Sequence, residues 1–155
     1  HVVKMPLECC QMLSIVASDK WGHGYGTLPK ANGEPYKTDK GAFRNHPCTV
    51  WANETIQNHR WLIKHGLALC EEYSNRYAKV HSCLRTLAYA NQIFPVSDAA
   101  GRSTSKLTPF ARAMPDEFKL DTSIDTFTAY KNYISSKPWA ASNYLRDESR
   151  KPNWI

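Results

Sequence analysis

The fold turns on one stretch: Asn45-His46-Pro47-Cys48-Thr49-Val50-Trp51, then Asn58-His59-Arg60-Trp61-Leu62, then Glu71-Glu72-Tyr73-Ser74-Asn75-Arg76-Tyr77. Across it Trp51, Thr55, His59, Leu62, Gly66, Leu69, Tyr73, Tyr77, Val80, Leu84 and Leu87 recur every third or fourth residue. That period puts them on one face of a helix. One long helix over 45–87, or two end to end, is expected. A second stripe of Asn58, Trp61, His65, Glu72 and Arg76 is polar and aromatic. An ion pair between Glu72 and Arg76, one turn apart, fits a solvated or salt-bridged flank; the alternative is a helix wall lining a groove.

Upstream, Val2, Met5, Cys9, Met12, Leu13 and Val16 form an apolar stripe over 2–17. Pro6 is tolerated only in a first turn, where its missing N–H is not needed, so the helix should begin near Met5. Between 18 and 44 the composition shifts to Gly22, Gly24, Gly26, Pro29, Gly33, Pro35 and Gly41, which predicts a long loop. Lys20, Lys30, Lys37, Lys40 and Arg44 alternate there with Trp21, Tyr25 and Tyr36. Such a pattern suits phosphate contacts and base stacking, and equally a solvated surface loop. Gly22-His23-Gly24-Tyr25-Gly26 has neither the preceding strand nor the following helix of a dinucleotide fingerprint.

Downstream, the helical pattern gives way around Phe94-Pro95, and 96–108 reads as a connector. A proline-framed segment follows over 109–119. Asp125 or Thr126 should cap a further helix, with Phe127, Tyr130 and Ile134 on its buried face and Tyr133 beside them. The end, with Lys137-Pro138-Trp139 and Arg150-Lys151-Pro152-Asn153-Trp154, is basic and aromatic. It reads as a second nucleic-acid contact or as a tail whose Trp154 packs back on the core. Strand-like alternation is scarce, so an all-α, compact single domain over 1–155 is expected, built around the long central helix with irregular basic loops.

Composition sets outer bounds. Twenty Lys and Arg against 14 Asp and Glu give a net charge of +6, which favours approach to a polyanion without selecting one. No apolar run is long enough for a bilayer, so no membrane partner is expected. Five cysteines, with Cys9 and Cys10 adjacent, are a poor start for a disulfide framework and suit a reducing, cytoplasmic setting. Cys70 and Cys83 are read as small buried apolar residues. No paired-Cys zinc pattern occurs, and His59 and His65 lie off the four-residue spacing of helical ligand pairs, so neither metal nor cofactor is expected. Asn53-Glu54-Thr55 matches the glycosylation sequon but would carry no meaning in a cytosolic helix. A chain beginning at His1 without methionine is expected to be processed or to lack a short upstream segment.

The order of blocks resembles the small phage pyrimidine-dimer DNA glycosylases with associated abasic-site lyase activity, the endonuclease V class of ultraviolet-repair enzymes. The residues carrying the resemblance are Met5-Pro6-Leu7, the basic loop, His46-Pro47-Cys48-Thr49, the run from Met114-Pro115-Asp116-Glu117-Phe118-Lys119 to Asp121, and Lys151-Pro152-Asn153-Trp154. It implies a mainly helical fold, damaged or abasic double-stranded DNA as partner, and a location in the cytoplasm, the host's if phage-encoded. It also implies covalent catalysis: an amine attacks the sugar carbon, expels the base, forms an imine and is followed by β-elimination. The family's nucleophile is an N-terminal α-amine, whose pKa of about 8 leaves it partly neutral at physiological pH.

Two departures follow. The family's amine lies well upstream of the proline matched by Pro6, and its glutamate sits two residues before that proline, where this chain has Lys4. Glu8 is the nearest carboxylate, four residues from Lys4 and hence on the same helical face. The catalytic candidates are therefore Lys4, Glu8 and the His1 α-amine; an exposed first-turn ion pair is the plain alternative. Carried over by region, the DNA-binding candidates are Lys37, Lys40, Arg44 and His46, then Lys131, Lys137, Arg150 and Lys151. His46 opens the central helix, where anions are favoured, although a capping histidine fits the same place. A repair glycosylase and lyase is the first expectation; a catalytically silent DNA-binding relative and a protein-interaction domain are the alternatives.

Overall fold

The computed structural model describes residues 1–18, 24–39, 41–97 and 106–155. It falls into two compact units, His1–Pro109 and Phe110–Ile155. The chain is all-α: among the described residues, the strand-like pairing is a single bridge between Pro29 and Pro35.

In the first unit, α1 runs Met5–Ala17, α2 Pro47–Glu54, α3 Ile56–Tyr77 and α4 Leu84–Ile93. Pro6 sits in the first turn of α1, and the backbone N–H groups of Lys4 and Met5 both donate to the His1 carbonyl, so the coil is already wound before Met5. Val2, Cys9, Met12, Leu13 and Val16 are buried along the predicted stripe. They pack α1 across α2, α3 and α4 with Leu28, Ile63, Leu87 and Phe94. Fully burying one such side chain contributes about 1.5–3 kcal/mol.

The long central helix is in fact three helices. Thr55 adopts extended dihedrals, and its Oγ1 accepts from the Asn58 N–H, so one residue ends α2 and caps α3. The α3 helix stops at Ala78, which takes a left-handed φ of 52° while its N–H donates to the Ser74 carbonyl. A residue with a Cβ pays roughly 1–2 kcal/mol for that conformation, and neither Gly nor Pro marks the stop. Beyond it the helical phase is lost: Val80 and Leu84, read as stripe members, are 74% and 37% exposed.

The basic loop also departs from a solvated strap. Leu28 is fully buried and Tyr36 nearly so. The Tyr36 N–H donates to the Leu28 carbonyl, and Thr86 Oγ1 of α4 donates to the Pro29 carbonyl at 2.6 Å. Two apolar anchors and a side-chain bond thus fix a segment that glycine content alone marks as loose.

In the second unit, α5 spans Asp116–Lys119 and α6 Thr126–Ser135, followed by short 3-10 turns at Ala141–Tyr144 and Glu148–Arg150. Asp125 caps α6 by accepting from the N–H groups of Phe127 and Thr128. Phe127, expected on the buried face, is 56% exposed and packs its edge on Phe110, while Ala129 is the buried residue of α6. The Arg112 guanidinium donates to the carbonyls of Asp121 and Ile124, gathering the segment before α6. Ser135 Oγ donates to the Trp154 carbonyl, so the chain end folds back onto α6.

Candidate functional site

The first turn of α1 places Lys4 and Glu8 one turn apart, with Nζ 3.2 Å from Oε1. The pair is lopsided: the Lys4 side chain is 76% exposed, that of Glu8 only 17%. A carboxylate so far withdrawn from water acts on its surroundings more strongly than one at the surface. Its charge reaches His46 at the start of α2 and Cys9 beside it. Burial pulls the His46 imidazole below its ordinary value, and Glu8 opposes that pull. His46 Nδ1 accepts from the Cys48 N–H at 3.2 Å, the capping arrangement expected for a histidine ahead of Pro47. The His1 α-amine is lowered too, first by burial and then by the Arg76 charge. Glu8 is thus paired with the Lys4 amine and within electrostatic reach of the His46 imidazole, while the charge acting on the His1 amine is that of Arg76 at the end of α3.

Arg76 and Glu72 pair at 2.6 Å near the end of α3, with both side chains largely withdrawn from solvent. The predicted ion pair is therefore present, but not on a solvated flank. The rest of that stripe divides. Trp61 stacks on His65, with Trp51 edge-on to Trp61. Asn58 is fully buried, donating from Nδ2 to the Trp51 carbonyl and Thr108 Oγ1 and accepting the Thr108 N–H at Oδ1.

Next to α1 a cleft of about 520 Å³ opens between Leu7, Gln11, Tyr36, Lys37, Phe43 and Cys83. Leu7, Gln11 and Ile15, at four-residue spacing, make its α1 wall; this second line on the helix is legible in the sequence, yet Gln11 was not among the expected site residues. Lys37 stands at the cleft. Arg44 is half-buried, with Nη1 donating to the Thr38 carbonyl at 3.0 Å. Lys40 lies outside the described residues. Lys131, Lys137, Arg150 and Lys151 all belong to the second unit, where Lys137 lies 4.2 Å from the centre of the Tyr133 ring. Among the described residues no group of three His, Cys, Asp or Glu side chains is placed to hold a metal, and no helix is long and apolar enough to cross a membrane.

A family model described as pyrimidine dimer DNA glycosylase matches residues 1–85. The chain belongs to that family. The match takes in α1, α2 and α3 and stops at the start of α4, so it contains the Lys4–Glu8 pair, His46 and the Glu72–Arg76 pair. DNA is the substrate class of pyrimidine dimer DNA glycosylases and DNA repair their role, which accords with the net charge of +6. No curated protein and no solved structure matches significantly.

Proposed function

We propose that this pyrimidine dimer glycosylase acts on damaged double-stranded DNA through an amine-derived imine and carries abasic-site lyase activity. The observation behind this reading is the Lys4–Glu8 pair, an amine 3.2 Å from a largely buried carboxylate. Glu8 takes a proton from the attacking amine. The amine nitrogen bonds to the sugar C1′ as the glycosidic bond breaks, and the base leaves with the bonding electrons. The ring opens to an imine; removal of a C2′ proton, again by a carboxylate in reach, expels the 3′ phosphate. His46, held neutral by burial at the N-terminus of α2, donates a hydrogen bond to a DNA phosphate there. Lys37, Lys40 and Arg44, with Lys131, Lys137, Arg150 and Lys151, neutralise further phosphates.

Borohydride trapping on an abasic-site duplex tests this. The full-length protein is expected to give a covalent adduct that Glu8→Gln reduces by on the order of 10²-fold, the scale of a lost general acid–base group. Loss of the adduct in Lys4→Ala assigns the amine to Lys4; survival assigns it to an α-amine. Salt-sensitive DNA binding with no adduct would overturn imine chemistry and leave a silent DNA-binding relative.

A further inference from the structure

We infer that Cys10 and Cys83 form a peroxide-oxidisable dithiol, a modification site at which an intramolecular disulfide ties α1 to the start of α4. The two residues are 73 apart in sequence, and the Cys10 thiol donates to the Cys83 carbonyl at 3.9 Å. The two sulfurs are within hydrogen-bonding reach of one another, and the Tyr36 hydroxyl reaches both. Three elements of the fold therefore converge on one pair of thiols: α1, the anchored basic loop and the N-cap position of α4.

The pair is asymmetric. Cys10 is fully buried inside α1, whereas Cys83, though mostly covered, borders two clefts. Cys83 is held down to about 6 first by the Cys10 hydrogen bond, with Ser82 and Tyr36 adding to it, against the opposing pull of burial. The Cys10 thiol is pushed up by its bond to Cys83 and by burial. One member is thus a nucleophile and the other a resolving thiol. Cys9 and Cys70, by contrast, are pushed up by burial to about 12 and about 11.

The oxidant is a peroxide. The Cys83 thiolate attacks one peroxide oxygen; an S–O bond forms as the O–O bond breaks, and the departing hydroxide takes a proton to become water. The Cys10 sulfur then attacks the sulfenic sulfur, and the leaving hydroxyl carries away the Cys10 proton as a second water. Two thiols are oxidised to one disulfide while one peroxide is reduced to two waters.

The test exposes the native full-length protein to hydrogen peroxide, alkylates the remaining thiols after unfolding, and maps the peptides by mass. A Cys10–Cys83 bridged peptide, lighter by two hydrogens, with Cys9, Cys48 and Cys70 alkylated, is the expected result. Cys83→Ser should abolish the bridge, and Cys10→Ser should leave a dimedone-reactive sulfenic acid at Cys83. Five alkylated cysteines in the treated wild type, or a bridge to Cys9, Cys48 or Cys70 instead, would overturn the proposal without recourse to any variant.

Discussion

Gly66 sits in the interior of α3 where helix propensity and packing oppose each other. Replacing an interior helical glycine with alanine ordinarily stabilises by about 0.8–1.0 kcal/mol. Here the added Cβ would lie 2.7 Å and 3.1 Å from the two methyl carbons of Leu87 and 3.2 Å from the Cys9 Cβ. Carbon atoms pack at about 3.5–4.0 Å, so all three contacts are short. Leu87 is itself fully buried, and the Cys9 Cβ is fixed to the α1 backbone, so neither neighbour can swing into solvent. Forcing a methyl into a filled core costs about 1–3 kcal/mol, which exceeds the propensity gain. Gly66→Ala should therefore lower stability by roughly 1 kcal/mol, a fall in Tm of about 2–4 °C for a chain of 155 residues. Thermal melts followed by circular dichroism measure it. The same substitution in a Leu87→Ala background, where the space has been opened, should instead raise Tm, and the double-mutant cycle isolates the contact. A higher Tm for Gly66→Ala in the wild-type background would refute the claim that α1, α3 and α4 meet at this glycine.

Asn58→Leu keeps the branching and heavy-atom count of the side chain but strands the Trp51 carbonyl and the Thr108 N–H away from water. With about 1–3 kcal/mol for each unsatisfied group, a loss of roughly 2–6 kcal/mol is expected in urea unfolding; a change below 1 kcal/mol would place Asn58 at a wetter position than described. His65, stacked on Trp61, has its pKa lowered from 6.5 by burial. An imidazole that is harder to protonate when folded gives stability that is complete above its unfolded pKa and is lost as pH falls through the lowered folded pKa. Wild-type stability should drop below pH 6.5 more steeply than that of His65→Gln, with His46 contributing to the slope that remains; identical slopes in the two proteins would contradict a half-buried His65 that is harder to protonate when folded.

The helices were legible where local chemistry marks them. Pro6 placed the start of α1, Asp125 the start of α6, and the apolar period of 56–77 the face of α3. Thr55 is a residue type favoured at N-caps, but with no Glu or Gln at 58 to complete a capping box, the unbroken spacing through Trp51 and His59 masked the break. The stop at Ala78 carries no such mark. An alanine goes left-handed there because tertiary packing holds the turn, including His81, whose Nδ1 accepts the Cys83 N–H while Nε2 bonds the Val3 carbonyl. Phe127 shows the converse: its spacing fits a buried face, but α6 finds its cover at Ala129 and leaves the ring to pack edge-on against Phe110.

By itself, the order of residues determined that this chain is helical, that it is basic, that Lys4 and Glu8 share a helical face, and that its blocks resemble those of a DNA-repair family. Those properties follow from periods of three and four, from counted charge and from short motifs, all of which are local. Tertiary structure alone decided that Glu8 is withdrawn from water beside His46, that Asn58 is an interior anchor, and that Cys10 meets Cys83 across 73 residues. The reason is physical: burial and long-range proximity depend on which helix faces another, and nothing in a single helix's sequence encodes its partner.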